Sequence, residues 1–174
     1  SMEHWAVEPE VLKLYAKHYE TREVIPDELI TKIQNQGTFN QGFMTTELLA
    51  ATLLDMELHN MTDTENLNVV AFEKETMDKL GLIPEIAPRY RATYFSHIIG
   101  GYAAGYYSYL WAEVLDTDAF EAFKEHGVFD KNTADSFRKN ILEKGGTEDP
   151  MTLYRGFRGA DPSLEPLLKN RGLK

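Results

Sequence analysis

The sequence predicts an all-α fold, a multi-helix bundle in which residues 1–174 form a single helical unit. Two observations carry this expectation. Apolar residues recur at helical spacing along most of the chain, and Pro, Gly and acidic residues fall where helices begin and end. A third supports one unit rather than two: there is no internal repeat, low-complexity stretch or Ser/Gly linker.

The elements follow in order. Residues 9–19 read as a first helix, with Val11, Leu12, Tyr15 and Tyr19 on one face and Pro9 in the first turn, where a missing N–H costs nothing. A second starts at Pro26, carries Asp27 and Glu28 at the positive end of its dipole, and stops near Gly37. After a polar loop at 38–42, a Leu- and Ala-rich helix is expected over 43–60. A fourth runs from Thr64 to Leu80 with Gly81 as its C-cap. Pro84 and Pro88 bracket a loop. Residues 89–99 suit a strand or a helix equally, and Gly100–Gly101 interrupts whatever they form. A strong helix is predicted over 102–126 and another over 132–144, ended by Gly145–Gly146. Two short helices, near 150–158 and 163–170, have Asp149 and Ser163 as N-caps.

Composition narrows the function. Hydrophobic content of 43% and charged content of 26% are ordinary for a soluble globular chain. Without cysteine there is no disulfide, no Cys-based zinc site and no thiol nucleophile. A formal net charge of −10 argues against nucleic acid and against anionic membrane surfaces as partners. No apolar run approaches the roughly 18 residues of a membrane span. The first ten residues lack the basic and apolar regions of a signal peptide, and a cytoplasmic location is expected.

The informative segment is FSHIIGGYAAGYYSYLWAEVL, residues 95–115. On a helix beginning near Tyr102, the residues Tyr102, Tyr106, Tyr109 and Glu113 share one face, while Tyr107, Leu110, Trp111 and Val114 occupy another suited to packing. Three phenols in a row are directional hydrogen-bond donors, acidic only at high pH. The plain alternative is a set of core tyrosines with satisfied hydroxyls. Against it, the stripe follows directly on His97 and Gly100–Gly101, and Ala103, Ala104 and Gly105 leave space beside it. Small residues let a substrate backbone approach, and a Gly pair permits a mobile loop.

Other chemistries lack their motifs. His4, His18, His59, His97 and His126 form no H-x-x-x-H pair, and H-E-x-x-H is absent. There is no G-x-S-x-G elbow, no P-loop and no dinucleotide-binding glycine pattern.

The run HIIGGYAAGYYSYLWAEVL resembles the tyrosine-bearing segment of the thimet oligopeptidase/peptidyl-dipeptidase family of zinc metallopeptidases. The resemblance continues through DAFEAFKEHGVFD, FRKNILEKGGTEDPMTLYRGFRGADP and LLKNRGL, and reaches back through PRYRATYF to MEHWAVEPEVLKLYAKHY. GYAAGYYSYLW looks nearest to the bacterial peptidyl-dipeptidase (dipeptidyl carboxypeptidase) branch.

The resemblance implies a C-terminal part of a larger helical catalytic domain. The family's zinc sits on an H-E-x-x-H helix and a downstream Glu, both N-terminal to this segment, so no metal ligand is expected here and Glu3 does not match one. It also implies roles for named residues. Tyr106 matches the transition-state tyrosine and His97 the histidine of the preceding loop. Tyr109 and, less directly, Tyr102 match substrate-contacting tyrosines, and Gly100 and Gly101 match a flexible loop.

The expected substrates are short peptides, from which release of C-terminal dipeptides is expected, and Arg89, Arg91 and Arg155 are carboxylate-binding candidates on charge alone. The expected partner is the remainder of the same polypeptide, without which the segment should be inert and prone to self-association. The rival reading is a non-catalytic acidic helical protein-binding module.

Overall fold

A computed structural model describes residues 2–174 and has no strand among them, its extended pairing being one isolated antiparallel bridge between Lys17 and Val24. The helices in chain order are α1 (Met2–Val7), α2 (Pro9–Tyr15), α3 (Asp27–Thr38), α4 (Gln41–His59) and α5 (Val69–Lys79). After two 3-10 turns, Ala92–Tyr94 and Ser96–Ile99, come α6 (Ser108–His126), α7 (Lys131–Phe137), α8 (Pro150–Arg158) and α9 (Glu165–Asn170). A π-helical segment, Arg138–Leu142, extends α7. The chain groups into two compact units. One comprises the residues up to Phe39 together with Ala112–Lys174, the other Asn40–Trp111.

The first unit is built around α6. Its Val114, Phe120 and Phe123 are buried, and Trp5 packs edge-on against Phe120 and Phe123 at 4.6 Å while its indole N–H donates to the Val128 carbonyl at 3.0 Å. Phe137 and Phe157 continue the aromatic contacts from Phe123. The unit's buried polar groups are paired, as burial demands: the Tyr154 hydroxyl donates to Asp118, and Arg171 pairs with Glu113. At the surface Arg158 forks onto Glu125 at 2.7 and 2.8 Å.

The second unit holds α4 and α5 with the segment that follows. α4 buries Leu48, Ala51 and Leu54, and a cluster of Leu48, Ala51, Phe95, Ile98 and Tyr106 forms its centre. Leu58, Tyr90 and Leu110 pack against that cluster.

Each helix that the sequence predicts is present, and most of the differences lie at ends and caps. α2 stops at Tyr15 instead of Tyr19, because the chain turns there and Lys17 pairs with Val24. A helix over Met2–Val7 was not anticipated. α5 starts at Val69 instead of Thr64, capped by the Asn68 side chain accepting the Ala71 N–H. Asp149 does cap α8, accepting the Thr152 N–H at 2.9 Å.

The largest difference concerns residues 102–107, expected as the first turns of a long helix. They form a succession of tight turns, and α6 begins only at Ser108. Ala104 has a left-handed φ of 50°, and the N–H groups of Ala104 and Tyr106 bond to the Asp55 carboxylate rather than to helical carbonyls. A buried tertiary acceptor has overridden local helix propensity.

Candidate functional site

His97, Gly100, Gly101, Tyr102, Tyr106 and Tyr109 fall in the second unit, with Arg89 and Arg91, whereas Glu113 and Arg155 belong to the first. His97 lies on the Ser96–Ile99 turn. Its imidazole has ring centroids of Tyr102, Tyr106 and Tyr109 at 6.0, 5.4 and 6.1 Å, each in edge-on geometry. Tyr102 stacks on Tyr109 at 5.2 Å, Tyr106 lies 5.0 Å from Tyr109, and Tyr90 borders both His97 and Tyr106. The expected helical stripe is therefore a cluster assembled by the turns that carry His97, Tyr102 and Tyr106 and by the first turn of α6, which carries Tyr109. Glu113 is not a member of it; Arg171 engages its carboxylate in the first unit.

The members differ in environment. Tyr106 is 3% exposed, whereas Tyr102 and Tyr109 are about two-fifths exposed, at 41% and 40%. Burial pushes the Tyr106 phenol above its ordinary pKa of 10.0, partly offset by the positive charge of Arg89. The Tyr102 hydroxyl beside it raises that of Tyr109. Both phenols are neutral donors at pH 7. The His97 Nδ1 is buried and has no hydrogen-bond partner among the described residues. An unsatisfied buried polar atom is costly, and a catalytic role or a ligand that completes the set is among the reasons one is retained.

Gly100 and Gly101 sit beside this cluster, and a Cβ built on either meets nothing within 4 Å. Packing against this chain therefore does not account for the Gly pair.

Of the three arginines, two are occupied. Arg91 pairs with the buried Glu73 at 2.5 Å, and Arg155 pairs with Asp161 at 2.6 Å in the first unit. Arg89 makes no ion pair among the described residues; its guanidinium lies 5.8 Å from the Tyr90 ring centroid.

Two acidic residues escaped the sequence reading. Glu73 is 4% exposed and also accepts the Ala92 N–H at 2.8 Å, anchoring the entry to the segment. Asp55, fully buried on α4, accepts from Ala104 and Tyr106 at its exit. The available signal for Asp55 was a carboxylate in phase with Leu48 and Ala51 on an apolar helix face.

No group of three or more His, Cys, Asp or Glu side chains among the described residues can hold a metal ion. His97 is ringed by aromatics, not by carboxylates. The donor set present does not fit zinc. No helix among the described residues is long and apolar enough to cross a membrane.

Comparison with known proteins places these residues in context. The sequence profile of peptidase family M3 matches residues 1–173. The chain is similar to dipeptidyl carboxypeptidase of Escherichia coli (strain K12), 44% identical over 178 residues that cover 98% of this chain and 26% of that protein. It is 39% identical to oligopeptidase A of the same organism, covering 99% and 26%. Saccharolysin of Saccharomyces cerevisiae is 30% identical, covering 99% and 25%. The chain thus spans about a quarter of the length of the curated relatives it matches.

Proposed function

The chain belongs to peptidase family M3, and from that premise we propose that it supplies the substrate-binding and charge-stabilising side of a metallopeptidase active site. The observation that carries the reading is the convergence of His97, Tyr102, Tyr106 and Tyr109, matched separately by resemblance, into one aromatic cluster.

Peptide hydrolysis passes through a tetrahedral intermediate whose former carbonyl oxygen carries negative charge. That oxygen needs a preorganised donor that stays protonated. Tyr106 is suited to this, because burial raises its phenol and keeps the O–H neutral well above physiological pH. His97 shares or orients the oxyanion. Tyr109 and Tyr102, more exposed, contact the peptide backbone. Gly100 and Gly101 let the intervening loop approach or close over substrate. The zinc that the family implies would be held by residues outside this chain and would supply Lewis-acid polarisation of the scissile carbonyl.

The finer proposal is that short peptides lose C-terminal dipeptides. This requires a cation for the substrate carboxylate, and Arg89 is favoured over Arg91 and Arg155 because only the latter two are paired with acidic partners.

The test is complementation. This chain is mixed with the separately produced remainder of the polypeptide, folded and zinc-loaded, and peptide cleavage is assayed. Restored activity supports the reading. A correctly folded, metal-loaded mixture that associates yet remains inactive counts against it, and favours a non-catalytic binding module.

A further inference from the structure

A buried carboxylate is retained only where donors compensate its lost hydration. Asp55 lies on the apolar face of α4 and is 0% exposed. Two backbone donors reach its carboxylate: one oxygen receives the Ala104 N–H at 3.0 Å and the other the Tyr106 N–H at 2.9 Å. The His59 Nδ1 lies 2.9 Å from the first of these oxygens, while its hydrogen bond is to the Asp55 main-chain carbonyl at 2.9 Å. Both carboxylate donors come from the turn that carries Tyr102 and Tyr106.

That turn does not hold its shape by local rules. Ala104 adopts a left-handed φ of 50°, a conformation that costs a non-Gly residue energy and persists only when surroundings over-determine it. Asp55 is the over-determining contact, because it accepts at the strained residue and again two residues later.

The same helix fixes the other end of Tyr106. Its ring packs with Leu48 and Ala51, which share the α4 face with Asp55. Backbone and ring are thus both located by α4, and the hydroxyl position follows. No carboxylate holds the backbone N–H of Tyr102 or Tyr109; these bond to the His97 and Tyr106 carbonyls at 3.2 and 3.3 Å.

We infer that Asp55, with the His59 imidazole packed beside it, is a positioning residue that aims the Tyr106 phenol, an inference that rests on the oxyanion role proposed for Tyr106. It acts through Tyr106 and touches no substrate. Catalytic groups must be held within about 0.5 Å of the productive geometry, and a misplacement of about 1 Å costs on the order of 10²-fold in rate.

The experiment is a double-mutant cycle in the full-length peptidase, reading kcat, KM and zinc content for Asp55→Asn, Tyr106→Phe and the double variant. Asn is isosteric and keeps one acceptor oxygen. Asp55→Asn is expected to lower kcat by roughly 10–10²-fold with KM little changed and zinc unaltered. Because Asp55 acts through the phenol, the double variant should be no slower than Tyr106→Phe alone, within about twofold.

Fold-losses that multiply in the double variant, or a normal kcat in Asp55→Asn, overturn the inference. A normal kcat in Tyr106→Phe instead overturns the role given to Tyr106 itself, and the inference with it. Should Asp55→Asn not fold, His59→Leu takes its place in the cycle, removing the half-buried imidazole that lies 2.9 Å from an Asp55 carboxylate oxygen and is hydrogen-bonded to the Asp55 main-chain carbonyl. It is expected to lower kcat about threefold or more, and only when Tyr106 is present. Wild-type kcat in His59→Leu, or an equal loss with Tyr106 replaced by Phe, overturns the inference.

Discussion

The His97 imidazole stands edge-on to the Tyr106 phenol, ring centroids 5.4 Å apart and planes at 80°, with its Nδ1 buried and unpartnered among the described residues. A packing role alone gives no reason for a polar atom at that position. Replacement by Phe separates packing from chemistry, since it keeps an aromatic ring and removes the unsatisfied nitrogen. In the full-length peptidase, His97→Phe is expected to lower kcat/KM by about 10²-fold, while thermal stability is unchanged or raised. A stable variant with normal kinetics would assign His97 to the core.

The helix caps make a prediction about acid. The Thr152 N–H bond holds the Asp149 carboxyl below its ordinary pKa of 3.8, and the Thr133 N–H does the same for Asp130. A depressed folded-state pKa contributes stability that is present above the unfolded value and is lost as pH falls through the folded value. Asn caps equally well but does not titrate. The variant Asp130→Asn/Asp149→Asn is therefore expected to match the wild type near pH 7 at the first order. Below pH 4 it should lose less in thermal midpoint, which a calorimetric series from pH 6 to pH 3 would read.

Alkali probes a buried phenol. Tyr154 donates to Asp118, and burial followed by that bond raises its pKa far above 10.0. A raised folded-state pKa contributes stability fully present below the unfolded value and lost as pH rises toward the folded one. Tyr154→Phe is expected to cost about 1–3 kcal/mol at neutral pH, because Asp118 loses a donor. The difference from wild type should narrow above pH 10, measured by urea denaturation at each pH.

Gly172 is required by geometry. It has a φ of 63°, and a Cβ there would lie 2.9 Å from the Thr38 Cβ. Backbone strain and collision act together, so Gly172→Ala is expected to destabilise the fold by about 1–2 kcal/mol. Thr38→Ser/Gly172→Ala should recover part of the loss by removing the methyl group at 3.0 Å. No recovery in the double variant would mean that the collision is not what costs stability.

Most of this architecture was legible from residue spacing. The α4 helix, α8 with its Asp149 cap, and the all-α class follow from apolar periodicity and end signals, which are local. The start of α6 was misplaced by six residues because its cause is not local. Asp55 lies 49 residues before Ala104 and captures N–H groups that periodicity assigns to a helix. The site was legible in a different way. The motif run singled out His97 and the tyrosines, whose rings the structure brings together, but spacing placed Glu113 among them, where the structure ties that residue to Arg171. Distinguishing Arg89 from Arg91 and Arg155 needed their acidic neighbours, which a sequence does not display.

The central claim is that Tyr106 donates to the oxyanion, and Tyr106→Phe in the full-length peptidase tests it most directly. Removing one hydroxyl leaves the ring packing with Phe95, Ile98 and Leu48 in place. The account predicts a kcat lower by about 10²–10³-fold with zinc content unchanged. A variant that binds zinc normally and turns over at close to the wild-type kcat would contradict it.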